Sequence, residues 1–177
     1  YIMAVNKTFL LILFFVLMIF SRIFFDSEVS DFISGIENRG LDFAANVLSH
    51  TIFLLFVLAV CGYILKNKKK ILCLFGGVGV SYVVSVILKF LIQRDRPVES
   101  GLNSFSFPSS HATVYFFIFA FMLWQSEKNK YWFLLIVILV SLSRIYLGVH
   151  YLSDIIGGGL LGVGMYLLLR KWKLVKI

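Results

Sequence analysis

Beside long apolar runs this chain carries eight residues able to hold or move charge: Lys89, Arg94, Asp95, Arg96, His111, Arg144, His150 and Asp154. An ionisable side chain in or next to a membrane-length apolar run is costly, and by default it marks a functional site. Three cations (Lys89, Arg96, Arg144), two histidines and a carboxylate make up an anion site equipped for proton transfer. Lys89 and Arg96 are seven residues apart, two helical turns, so a continuing helix projects both from one side. His150 and Asp154 are four apart, which lets the carboxylate approach an imidazole N–H. That pairing fixes the tautomer and leaves the other ring nitrogen unprotonated and free to attack. Ser109, Ser110 and His111 follow Pro108 at the start of an apolar run, where proline and serine favour a helix opening. Unpaired backbone N–H groups and the positive end of the helix dipole favour phosphate at such a place.

These residues need a scaffold, and the composition says which kind. Of 177 residues 60% are hydrophobic, against about 45–50% in a soluble globular domain, so the chain belongs in a bilayer. A spanning helix takes roughly 20 apolar residues. The length therefore accommodates an all-α fold of six transmembrane helices as a single domain over residues 1–177. The first apolar run, Thr8 to Phe25, is longer than a signal-peptide core and lacks a small-residue cleavage site, so it reads as span one. Between Asp26 and Ser49, acidic residues alternate with Val29, Phe32, Ile33, Ile36, Leu41 and Phe43, the pattern of short interfacial helices between spans one and two. Span two runs from Thr51 to Leu65, span three from Ile71 to Ile92, span four from Pro108 to Trp124, span five from Tyr131 to Leu147 and span six from Ser153 to Leu169. The segment from Gln93 to Ser106, with Pro97, Gly101 and Asn103, reads as a loop.

A net charge of +8 is compatible with a nucleic-acid binder, but the cations sit in the short gaps between apolar runs, where they set topology. The partner expected is the membrane bilayer, and no nucleic acid. With the N-terminus inside, Lys7, the lysines at 66, 68, 69 and 70, Lys128, Lys130 and the tail from Arg170 all face the cytoplasm. Of nine carboxylates only Glu127 joins them. The chain is then a multi-pass cell-membrane protein with both termini cytoplasmic and its reactive residues on the opposite face. Cys61 and Cys73 lie in separate apolar runs and read as thiols with no disulfide or metal role.

At the reactive residues the sequence resembles the type 2 phosphatidic acid phosphatases, whose helices share an architecture with vanadium haloperoxidases. That family carries a lysine, six residues and Arg-Pro; a Pro-Ser-Gly-His; and a Ser-Arg, five residues, His, three residues and Asp. Here they read Lys89 to Arg96-Pro97, Pro108-Ser109-Ser110-His111, and Ser143-Arg144 to His150 and Asp154. The resemblance implies that Lys89, Arg96, Ser109, Ser110 and Arg144 bind the substrate phosphate. It also implies that His150 attacks phosphorus to form a phosphohistidine, that Asp154 orients His150, and that His111 protonates the leaving group. Ser110 stands where the family usually has glycine. Three fixed cations stabilise charge on transferring phosphoryl oxygens without a metal, so no metal and no cofactor is expected. The implied substrate is a lipid phosphate or diphosphate: phosphatidic acid, phosphatidylglycerol phosphate or polyprenyl diphosphate. A phosphotransferase shares the first step. A transporter would place its ionisable groups nearer the bilayer midplane. Outside this set, Arg94 and Asp95 read as a solvated loop pair and His50 as an interfacial residue without chemistry. The glycines at 76, 77 and 79, and at 157, 158, 159, 162 and 164, read as helix-packing positions.

Overall fold

The computed structural model describes residues 16, 19, 22, 25–36, 38–125 and 129–171. Apart from isolated positions, the expected first span lies outside the described residues, as do residues 172–177. The described chain is all-helical: α1 (Asp26–Ser34), α2 (Arg39–Ser49), α3 (Thr51–Leu65), α4 (Lys68–Ile92), a 3-10 turn (Val98–Ser100), α5 (Ser110–Gln125), α6 (Lys130–Tyr146) and α7 (Leu152–Lys171).

Local chemistry sets the boundaries. Asn38 caps α2 by accepting from the amides of Gly40 and Leu41, and Asn67 caps α4 by accepting from those of Lys69 and Lys70. Asparagine satisfies otherwise unpaired first-turn amides, so α4 begins at Lys68 and the lysines expected in a connector form its first turn. Gln93 ends α4 in the left-handed conformation (φ 51°), its amide bonded to the Lys89 carbonyl. α2 and α3 meet at a 58° bend, where His50 Nδ1 accepts from the Ile52 amide at 3.2 Å.

α4 and α7 are each long and apolar enough to cross a membrane, and α2 with α3 makes a third such unit if the bent pair is one span. α5 and α6, at 16 and 17 residues, are shorter than the roughly 20 residues that a bilayer core requires. The expectation of six spans is thus met in part.

α5 lies at the centre. Its Tyr115, Phe117, Ile118, Phe121 and Met122 are almost fully buried, with Phe117 and Phe121 edge-on to Tyr166 of α7. α7 packs on α5 backbone to backbone. A methyl group at Gly158 would lie 2.6 Å from the Ser109 carbonyl oxygen, and one at Gly162 only 2.2 Å from that of Thr113. Small residues permit this approach between membrane helices. Gly77 makes room for the Phe117 ring, whereas Gly76, Gly79 and Gly164 meet nothing within 4 Å among the described residues. The packing role expected of those three thus has no partner among the described residues. Basic residues gather at one end of the bundle, where Lys70 Nζ bonds Gln125 Oε1 at 2.6 Å and Arg170 stacks on Trp124 at 3.7 Å. Lys89 stands at the far end of α4.

Candidate active site

At that far end the three motifs converge on a cavity of about 760 Å³. Lys89, Arg96, Ser110, His111, Arg144 and His150 lie on its polar wall, with Asp95, Ser100, Asn103 and Ser104 of the 93–106 loop at its edge, and Tyr82, Val86, Phe90, Val98, Leu102 and Phe105 are among its apolar lining. Tyr82, Val86 and Phe90 lie on successive turns of α4, so that part of the apolar wall is one helix face.

Lys89 is in the last turn of α4. Its Nζ donates to the carbonyls of Phe105 and Ser106 at 3.1 and 2.7 Å, pinning the returning end of the 93–106 loop. Because α4 stops at Ile92, Arg96 does not share a helix face with Lys89. The loop carries it instead, closed by the Ser106 amide on the Arg94 carbonyl at 2.7 Å. Arg96 Nε donates to Ser104 Oγ at 2.9 Å, and Nη1 donates to the Val149 carbonyl at 2.5 Å and lies 3.4 Å from His150 Nε2. Arg144, in the last turn of α6, has a buried Nε with no acceptor among the described residues. Among the described residues none of Lys89, Arg96 and Arg144 has a carboxylate partner.

His150 precedes α7 and Asp154 sits in its first turn; they are 3% and 0% exposed. Asp154 Oδ2 accepts from the Tyr151 amide at 2.9 Å and lies 3.4 Å from His150 Nδ1. The four-residue spacing is therefore realised by a helix-opening turn rather than along one helix. Burial pushes the His150 imidazole down to about 3, against the opposing pull of Asp154's hydrogen bond and charge and with the help of Lys89 and Arg96. The ring is neutral. With Nδ1–H directed at Asp154, Nε2 carries the lone pair and faces Arg96 and the cavity.

His111, in the first turn of α5, has Nε2 2.9 Å from the Ser49 carbonyl. A carbonyl only accepts, so Nε2 bears the proton and Nδ1 is the nitrogen left to exchange one. Ser49 ends α2, which is fixed to α6 by Tyr146 Oη on Asp42 Oδ1 at 2.7 Å and by the 3.1 Å approach of the Ser49 and Ser143 hydroxyls. Ser109 is brought beside the motifs but not onto the cavity wall. It is fully buried, its amide donates to the Asp154 carbonyl at 3.1 Å, and its Oγ accepts from the Ala112 amide at 3.4 Å. Ser110 does reach the wall, its Oγ 2.8 Å from Ser85 Oγ.

Three contributors escape a reading of the sequence. Arg94 is not a solvated loop residue: its Nη1 pairs with Asp154 Oδ1 and its Nη2 with Asp26 Oδ2, both at 2.7 Å, and its side chain is 14% exposed. Burying one arginine between two carboxylates overrides the local pairing with Asp95, which stays exposed. Asp26 was one acid of an interfacial helix and Ser49 acts through its backbone, so neither left a signal in residue type or spacing.

A helical bundle gathers cations with no carboxylate partner among the described residues, a carboxylate-oriented neutral histidine and a second histidine around one cavity, an arrangement suited to an anion and to proton transfer. The family model of the PAP2 superfamily matches residues 70–177, and the chain belongs to that superfamily. It is 35% identical over 106 residues to phosphatidylglycerophosphatase B of Bacillus subtilis (strain 168), covering 52% of each chain. It is 34% identical over 98 residues to an undecaprenyl-diphosphatase of Sulfolobus acidocaldarius, covering 47% of each. The chain spans about half the length of these curated relatives. A crystal structure of a transmembrane PAP2 type phosphatidylglycerolphosphate phosphatase from Bacillus subtilis superimposes with a TM-score of 0.70 at 24% identity, over 92% of this chain and 94% of that one. This last likeness is one of fold.

Proposed function

We propose that this protein is an integral membrane phosphatase that hydrolyses a lipid phosphate or lipid diphosphate through a phosphohistidine at His150. The observation that carries the reading is the charge arrangement: three cations, none ion-paired with a carboxylate among the described residues, around a cavity into which a neutral, carboxylate-oriented imidazole presents Nε2. Lys89, Arg96 and Arg144 hold the phosphoryl oxygens, and Ser110 borders them. The His150 Nε2 lone pair forms a bond to phosphorus as the bond from phosphorus to the leaving oxygen breaks. That oxygen takes the Nδ1 proton of His111 in its imidazolium form, which becomes neutral and keeps Nε2–H on the Ser49 carbonyl. Water then attacks the phosphohistidine, giving its proton back to His111, and inorganic phosphate leaves with Nε2 free again. Ser109 serves by capping α5 and tying it to Asp154. The two curated relatives, named for phosphatidylglycerophosphatase and undecaprenyl-diphosphatase activity, favour such substrates. The apolar face of Tyr82, Val86 and Phe90 continues the cavity along α4, a path suited to an acyl or prenyl chain rather than to a sugar phosphate.

The six-span arrangement, with both termini cytoplasmic and the cavity extracytoplasmic, belongs to the same proposal. It rests on the cations at the opposite end of the bundle, Lys68 to Lys70 and Arg170 with Lys171. In intact cells a cysteine replacing Asn103 should react with a membrane-impermeant thiol reagent, and one replacing Asn67 should not; the reverse pattern would overturn the orientation. The activity is tested by phosphate release from phosphatidic acid, phosphatidylglycerol phosphate and a polyprenyl diphosphate in detergent micelles. No release from any of them would overturn the reading.

A further inference from the structure

The four cations around Asp154 and the cavity fall into two sets. Lys89, Arg96 and Arg144 line the cavity, which the exposed Asp95 also borders, and among the described residues none of the three is ion-paired with a carboxylate. Arg94 does not line it, and it meets two carboxylates. Its Nη1 bonds Asp154 Oδ1 at 2.7 Å and Ser153 Oγ at 2.5 Å, its Nη2 bonds Asp26 Oδ2 at 2.7 Å, and the guanidinium lies 4.3 Å from the centre of the Tyr151 ring. Asp26 closes the circuit by accepting from the Ser153 amide at 2.9 Å through Oδ1 and from the Ser153 hydroxyl through Oδ2. Asp154 thus has one oxygen for Arg94 and the other for His150 and the Tyr151 amide.

We propose that Arg94, clamped by Asp26, is a positioning residue that holds Asp154 turned toward His150, and keeps that carboxylate from being drawn to the phosphate-binding cations. The proposal rests on His150 being the nucleophile. Its physical basis is charge separation inside a dry site. An unrestrained carboxylate among three cations would pair with one of them, weakening both the clamp on phosphate and the orientation of the imidazole. Arg94 neutralises Asp154 from the side away from the cavity, and Asp26 keeps the guanidinium from carrying an uncompensated charge there. Only arginine presents two nitrogens in one plane, so that both carboxylates are met at once.

Two carboxylates face each other across one guanidinium, and this yields a test that a merely structural tether would not pass. Arg94→Gln leaves Asp26 and Asp154 opposed without a cation, so kcat for phosphatidic acid in micelles should fall by on the order of 10²-fold, with KM changed by less than about threefold. Adding Asp26→Asn to Arg94→Gln removes the repulsion, and kcat should recover by about tenfold. Arg94→Lys, which keeps the charge but reaches one partner at a time, should fall between wild type and Arg94→Gln. Thermal melts identify any variant that does not fold, and the double variant and the lysine variant then carry the test. The proposal is overturned if the double variant is no better than Arg94→Gln, if the loss in Arg94→Gln lies in KM, or if Arg94→Gln turns over like wild type. His150→Ala serves as the reference: if it keeps wild-type turnover, the nucleophile assignment fails, and if only the Arg94 series behaves otherwise than stated, the positioning role alone fails.

Discussion

Residues 89–154 and the two helices α1 and α2 reach the same cavity in different ways. The former place side chains on its wall, among them three cations and two imidazoles. The latter put no side chain on that wall, yet Asp26 of α1 anchors Arg94 and so Asp154, while the last carbonyl of α2, on Ser49, fixes the proton on His111 Nε2. The family match begins at residue 70, so α1 and α2 lie before it. Reactive groups and their alignment are thus supplied by different parts of the chain, and a motif carries only the first.

The largest expected effect lies in the motif region. His150→Ala deletes the attacking nitrogen and should lower kcat by on the order of 10⁴-fold or more while the protein stays folded; a rate above a few per cent of wild type would remove His150 from its role. Next comes Asp154→Asn, which keeps the shape but loses the charge that selects the Nδ1–H tautomer. A drop of about 10²–10⁴-fold in kcat is expected, with substrate affinity little changed. Weakened binding at unchanged kcat would show instead that Asp154 acts on the phosphate clamp.

His111 stands where the two regions meet, and its replacement separates them. His111→Ala should cost about 10²–10⁴-fold with a phosphate monoester, whose alkoxide needs a proton. With a diphosphate, whose leaving group is already stable as an anion, the loss should be clearly smaller. Equal losses on both substrates would mean that the hydrogen bond to Ser49 holds His111 for architecture rather than for proton transfer.

A smaller effect is expected where α7 meets α5, because Gly162 presses on the Thr113 carbonyl and Gly164 on nothing described. Gly162→Val should destabilise the protein by about 1–3 kcal/mol and Gly164→Ala should leave the melting temperature unchanged. Similar melts for both would show that α7 can move off α5 without penalty.

How far the sequence discloses this molecule follows the same division. Helix extents were legible because apolar runs end at polar or basic residues, and α3 matches its expected span from Thr51 to Leu65. The start of α4 was not, since Asn67 caps a turn of lysines that hydropathy assigns to a connector. The cavity residues Lys89, Arg96, His111, Arg144 and His150 were legible from type and spacing. Asp26, Ser49 and the burial of Arg94 depend on contacts spanning 60 or more residues, and one of them uses a backbone atom that every residue possesses. Ser109 was legible as part of the site but not in its direction, which the cap on Ala112 determines.

The smallest expected effect concerns a proton. An exposed histidine, with an ordinary value near 6.5, would be about 97% protonated at pH 5, and a protonated His150 could not attack. Here burial holds the ring at about 3, because desolvation of the charged form outweighs the pull of Asp154, and Lys89 and Arg96 add to the lowering. The folded value lies below the unfolded one, so the unfolded chain takes up the extra proton as pH falls below about 6.5, and stability declines from there toward pH 3. The nucleophile itself should stay unprotonated throughout that window until its lower end. With nitrogen-15 labelled histidine, the Nε2 resonance of His150 should keep the shift of an unprotonated nitrogen from pH 7.5 down to pH 5. Any loss of turnover in that range then belongs to the substrate, to His111 or to unfolding. A His150 resonance titrating with a midpoint near 6.5 would show that water reaches the ring.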